Sequence, residues 1–138
     1  MPTGSCFCEK VKYEYSGDPA MKATCHCLAC RKISGSSNTL NLLVPKDRFQ
    51  VTSGTPKEFS KTHESGMELT IFFCDNCGSV ISKEGDADAF RGVVIVQAGT
   101  LDDVEGLDMG KPGAELYVKH RASWLPEVAG AGQMQEFS

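Results

Sequence analysis

Apolar and polar side chains alternate along short stretches of this chain, and helical spacing is not sustained anywhere. In "KVKYEY" the residues Val11, Tyr13 and Tyr15 alternate with charged neighbours, the period-two pattern of a half-buried strand. "ELTIFFC" is rich in branched and aromatic residues before Cys74, and "GVVIVQAG" is a short apolar run ended by glycine, so both read as strands. "NTLNLLV" and "ELYVKH" add two more. The connecting pieces "SGDP", "VPKDRF", "TSGTP", "HESGM", "EGDADA" and "MGKPGAE" combine Gly, Pro and Asp in the manner of turns. Helical periodicity lasts no more than about two turns. The pattern therefore predicts an all-β domain with one short helical turn after Cys30. The end of the chain, residues 126–138 with "VAGAGQMQEFS", reads as a loose tail. With no internal repeat and no linker, residues 1–138 are expected to form a single domain.

Size and composition agree with such a domain. A chain of 138 residues buries roughly two-thirds of its extended surface on folding, enough for a core of its own. Hydrophobic residues make up 41% and charged residues 23%, ordinary globular usage rather than that of a disordered chain. A net charge of -4 argues against broad nucleic-acid binding, which needs a basic face to neutralise phosphates. No stretch is long enough to cross a bilayer, and "MPTGSCFCEK" lacks a basic segment followed by an apolar run. The expectation is a soluble cytoplasmic protein that engages neither nucleic acid nor membrane. In that compartment thiols stay reduced, and seven cysteines are then metal ligands or catalytic groups before they are disulfides.

The cysteines fall into three clusters: Cys6 and Cys8 in "CFC", Cys25, Cys27 and Cys30 in "CHCLAC", and Cys74 and Cys77 in "CDNCG". None is scattered through the apolar strands. In an extended segment residues i and i+2 point to the same side, so Cys6 and Cys8 can converge while Phe7 faces away. In "CDNCG" the two-residue gap suits a tight turn, and Gly78 can take the positive φ that brings backbone N–H groups toward the sulfurs. Two ligands from each make a set of four thiolates, the composition of a closed structural zinc site. Such a site contributes on the order of 10–16 kcal/mol, comparable with the whole stability of a domain.

Cys25, Cys27 and Cys30 have no fourth cysteine. All three can reach one ion if the chain turns after Cys27, and alternation aims His26, which stands between Cys25 and Cys27, away from it. Three protein ligands with an open position are the arrangement of catalytic zinc. Two alternatives stay open: a redox pair at Cys27 and Cys30, and a closed site completed by His26, His63 or His120.

Three thiolates leave zinc a formal charge of about -1, which makes it a poor activator of water and a better partner for a soft sulfur ligand. A substrate thiol in the fourth position would lose its proton and become nucleophilic. The chemistry favoured is addition of a thiol to a carbonyl, or its reverse. Cations would help to hold an acidic thiol, and Arg31, Lys32, Arg48, Arg91, Lys119, His120 and Arg121 are the candidates. Trp124 is expected in the core.

The run of "GSCFCEKVKY", "CHCLACRKISG", "FFCDNCGS", "AGTLDD" and the aromatic "SW", in that order across residues 4–125, resembles the glutathione-dependent formaldehyde-activating enzyme family, which includes centromere protein V. The resemblance implies a β-tent, zinc-ribbon-like fold with two zinc sites. Cys6, Cys8, Cys74 and Cys77 match the structural zinc ligands, and Cys25, Cys27 and Cys30 match those of the catalytic zinc, where glutathione places its thiol. It implies a carbon–sulfur lyase that condenses glutathione with formaldehyde to S-(hydroxymethyl)glutathione. Lyase action on another thioether or carbonyl compound, or a non-catalytic zinc module that binds a protein partner, are the competing expectations. The family commonly has glycine after its first cysteine pair; this chain has Glu9 there.

Overall fold

The computed structural model describes residues 1–138. The chain begins with β1 (Thr3–Ser5), β2 (Lys12–Tyr15) and β3 (Met21–Cys25), followed by the helix α1 (Leu28–Ser34). Then come β4 (Thr39–Pro45), β5 (Phe49–Ser53), β6 (Lys57–Thr62), β7 (Glu68–Phe73), β8 (Val80–Gly85) and β9 (Val93–Gln97). A single-turn helix α2 (Gly106–Met109), β10 (Ala114–Leu116) and β11 (Gly132–Gln133) complete it. The protein is thus mostly β-sheet with few helices. All five segments with strand patterns contain strands, although "ELYVKH" keeps only Glu115 and Leu116 of its length in β10, because Tyr117 turns left-handed with φ 55.

An eight-stranded sheet runs in the order β11-β10-β3-β4-β9-β8-β7-β6, and a three-stranded sheet β1-β2-β5 lies against it. Pairing is antiparallel except where β10 meets β3 and β11. The central strands β4 and β9 are buried on both faces. Leu42, Val44, Val94 and Val96 pack with Val11 and with Tyr13 and Tyr15 of β2 in one core, while Leu43 and Ile95 turn the other way to meet Met67, Leu69 and Phe90. A third cluster joins Ala23, Ala114, Leu116 and Tyr117 to Cys25, Cys27 and Cys30.

One irregularity bears on the site. Phe72 pairs with Ser82 but Phe73 with Val80, so Ile81 is an extra residue in β8, a β-bulge. Ile81 enters the first core, and Lys83 pairs with Ile95 in the line of Leu43.

Three expectations are corrected. The helix begins at Leu28 and includes Cys30 rather than following it, because Cys27 acts as its N-cap. The tail is not loose: β11 pairs with β10, the N–H groups of Tyr117 and Val118 donate to the carbonyls of Glu136 and Met134, and Phe137 packs on Tyr117. The unpaired edge of β10 and an apolar cluster beside it give the tail somewhere to dock. Trp124 is 75% exposed and belongs to no core.

Candidate metal centres and an adjoining cavity

The first site forms where two turns meet. Cys6 and Cys8 lie just after β1, and Cys74 and Cys77 sit between β7 and β8. Their four sulfurs lie within 4.8 Å of one another, with Cys6 Sγ 3.6 Å from Cys8 Sγ and Cys8 Sγ 3.7 Å from Cys74 Sγ. A tetrahedron with 2.3 Å metal–sulfur bonds has edges of about 3.8 Å, so the donor set fits zinc. The backbone N–H of Val11 donates to Cys6 Sγ at 3.3 Å. Donors from Asn76 and the Lys10 backbone hold the Cys8 thiol below its ordinary value, and Ser79, through its hydroxyl and its N–H, brings Cys77 down to about 5. Phe7 faces solvent from the turn between Cys6 and Cys8. Gly78 takes φ 81, and Glu9 takes φ 66 at the matching place in the first turn.

The second site is built on β3 and α1. Cys25 ends the strand, and Cys27 caps the helix by accepting the Cys30 N–H at 3.3 Å. The three sulfurs lie within 4.8 Å of one another and all three residues are buried. A thiol set converging this closely fits one soft metal ion. Cys30 is held far below the ordinary thiol range by hydrogen bonds from Cys25 and Cys27 and then by the charge of Lys83. The same sharing pushes Cys25 up. Lys83 Nζ lies 3.5 Å from the Cys30 sulfur and 3.2 Å from Thr39 Oγ1.

No histidine joins this group. His26 is fully buried and points away, its Nε2 3.0 Å from Glu115 Oε1. His120 Nε2 is paired with Glu64 Oε1 at 2.8 Å, and Glu64 also accepts the Leu28 N–H at the start of α1. His63 is buried, and burial lowers its pKa below the ordinary histidine value. Its Nδ1 accepts the Ser65 N–H at 3.0 Å.

Beside the three thiols lies a cavity of about 30 Å³, walled mainly by apolar residues such as Leu43, Met67, Phe90 and Phe137, with Asn41, His63 and Lys83 as its polar members. That is room for one or two water-sized molecules. None of the cations expected to line the site does so. Arg31, Lys32 and Arg48 are exposed, while Arg91 pairs with Asp88, Lys119 with Glu136 and Arg121 with Glu115. The residue that sequence reasoning missed is Lys83, whose strand alternation is broken by the bulge at Ile81.

Fold and sites together define a small β-sheet protein carrying two cysteine clusters of metal-binding geometry, one of them bordering an apolar cavity. The chain belongs to the family described as "Glutathione-dependent formaldehyde-activating enzyme", whose profile matches residues 1–120. Among solved structures it is similar to a Rhodobacter sphaeroides protein, with a TM-score of 0.61 at 19% identity over 80% of this chain and 96% of that one. No curated protein matches. No helix is long and apolar enough to cross a membrane.

Proposed function

We propose that this protein is a zinc-dependent carbon–sulfur lyase that joins a thiol, glutathione or a relative, to formaldehyde or another very small carbonyl compound. The observation that carries the reading is the 30 Å³ cavity against Cys25, Cys27 and Cys30. Its size suits a one-carbon aldehyde, and a tripeptide can present to it only a thiol. In this reading Cys6, Cys8, Cys74 and Cys77 hold a structural zinc in a β-tent, zinc-ribbon-like fold, and residues 4–125 form the family-like core of one domain. Cys25, Cys27 and Cys30 hold the catalytic zinc, which when bound would keep the incoming thiol as a thiolate. Lys83 offsets the negative charge that gathers on the sulfurs, and the apolar wall excludes bulk water from the nucleophile. The family description supports glutathione and formaldehyde as substrates.

The test is the rate at which the zinc-loaded protein forms the hemithioacetal from glutathione and formaldehyde. It should exceed the spontaneous rate and fall to background in Cys27→Ser, with folding kept. Cys74→Ser should instead lose the fold along with the structural metal. No acceleration by the wild type would reject formaldehyde activation.

A further inference from the structure

His63 sits in the turn between β6 and β7 and is 4% exposed. Its ring is fixed on three sides: Phe137 stacks on it with centroids 5.1 Å apart, Tyr117 meets it edge-on at 5.5 Å, and Ser65 holds Nδ1. The bond at Nδ1 decides where the ring proton is. The Ser65 N–H can only donate, and the Ser65 hydroxyl 2.9 Å away turns its proton to the same atom, so Nδ1 spends its lone pair on Ser65 and in the neutral ring the proton is left on Nε2. Nε2 is buried and has no partner, and the ring lines the cavity beside the three thiols.

The other polar groups of that cavity are committed. Lys83 is bound to Cys30 and Thr39. The Asn41 amide donates to the carbonyls of Ala23 and Thr39, and its oxygen accepts from Gln97. A buried donor without an acceptor is costly, and native folds rarely leave one. The cavity that this ring lines has the size of a small carbonyl compound. A metal ion would need the lone pair that an Nε2–H does not have, so the same geometry argues against His63 as a fourth ligand.

We propose that His63 Nε2–H is the hydrogen-bond donor that receives the carbonyl oxygen of the small substrate, an assignment that rests on the thiol–carbonyl reading above. In the addition the thiolate sulfur gives a lone pair to the carbonyl carbon and the C–S bond forms. The C=O π pair moves onto oxygen, where the Nε2–H meets the growing charge. That oxygen then takes one proton from water, equal in number to the proton the thiol released, so no oxidant or reductant is needed. The reverse reaction uses the same bond to steady the alkoxide before the C–S bond breaks.

Two variants and one spectrum test this. His63→Phe keeps an aromatic ring against Phe137 and removes the donor, whereas His63→Gln supplies an amide N–H in its place. With zinc content and melting temperature kept, His63→Phe should lower kcat/KM for formaldehyde by about 100-fold, leave the KM for glutathione within about twofold of wild type, and be partly rescued in His63→Gln. Unchanged turnover in His63→Phe, or loss of the second zinc in that variant, would overturn the assignment. Independently of turnover, long-range ¹H–¹⁵N spectra of the zinc-loaded protein should show His63 as the Nε2–H tautomer, and Nε2 should shift on addition of formamide, an unreactive small carbonyl. An Nδ1–H tautomer, or no shift with saturating formamide, overturns the donor role. If formamide shifts Nε2 while the wild type fails to accelerate the reaction of glutathione with formaldehyde, the donor stands and the proposed reaction falls.

Discussion

Lys83 Nζ lies 3.5 Å from Cys30 Sγ, and both residues are at most 3% exposed. Apart from the thiols, this is the buried charge that meets the second cluster. Three thiolates around a divalent ion leave an excess negative charge, which is expensive in an apolar surround unless a cation offsets it. Lys83→Met keeps the length and the apolar stem while removing the charge. Zinc affinity at the Cys25, Cys27 and Cys30 cluster should drop about 10- to 100-fold with the four-cysteine site unchanged, as read by chelator competition that resolves the two metals. Equal affinities in wild type and variant would show that Lys83 is there for packing alone.

Glu9 takes φ 66 between Cys8 and Lys10, a conformation that costs a residue with a Cβ about 1–2 kcal/mol. A glycine there would carry no such strain, and Gly78 fills the equivalent place in the partner turn at φ 81. Part of the gain is returned through the greater freedom of glycine in the unfolded chain, about 0.5–1 kcal/mol. Glu9→Gly should therefore stabilise the protein by about 0.5–1 kcal/mol in a denaturant titration with zinc held constant. A loss of stability would mean that the Glu9 side chain contributes more than its backbone costs.

Much of this site was legible from spacing alone, because ligand spacing is a local property. The i, i+2 rule turned His26 away from its cluster, and the structure agrees, whereas Cys6 and Cys8 converge across a turn closed by the Glu9 N–H on the Cys6 carbonyl rather than along an extended segment. What the sequence hid depends on distant pairing. Lys83 reaches Cys30 only because a bulge at Ile81 resets the alternation of β8, and nothing in "VISKEG" announces it. Strands β5 and β6 are exposed along most of their length, so they lack the apolar signal that marked β9. The tail misled for another reason. Its glycines and polar residues suggest freedom, yet four backbone bonds to residues 113–118 and one phenylalanine dock it.

That phenylalanine closes one side of the cavity. Phe137 packs edge-on against Tyr117 at 4.9 Å and Phe90 at 5.0 Å and stacks on His63. It lies beyond residues 1–120, the part shared with the family, so it is a feature of this chain that the family match does not cover. Phe137→Ala should cost about 2–3 kcal/mol, below the range for a fully buried ring because the side chain is only partly buried. It should also enlarge the cavity, so that larger aldehydes such as propionaldehyde gain in rate relative to formaldehyde. An unchanged aldehyde preference would show that Phe137 does not set the size limit.

Glu115 is 2% exposed and accepts five donors. Oε1 takes Thr24 Oγ1 and His26 Nε2 at 3.0 Å, and Oε2 takes Arg121 Nη2 at 3.0 Å with the Val128 N–H and Gln133 Nε2 at 2.9 Å. Through it β3, His26 and the approach to the tail are tied to one carboxylate. Burial alone would raise its pKa, but the donors outweigh burial and bring it down to about 2 from an ordinary 4.5. A carboxyl lowered on folding stabilises the protein fully above its unfolded pKa, and that stabilisation fades as pH falls toward the folded value. Glu115→Gln keeps the shape but replaces one accepting oxygen with a donating amide NH₂, and it should cost about 2–4 kcal/mol near pH 7. The difference in urea midpoint between wild type and variant should then narrow as pH drops from 4.5 toward 2. A gap that stays constant through that window would mean that Glu115 is not ionised in the folded protein, and that its five donors hold a neutral acid.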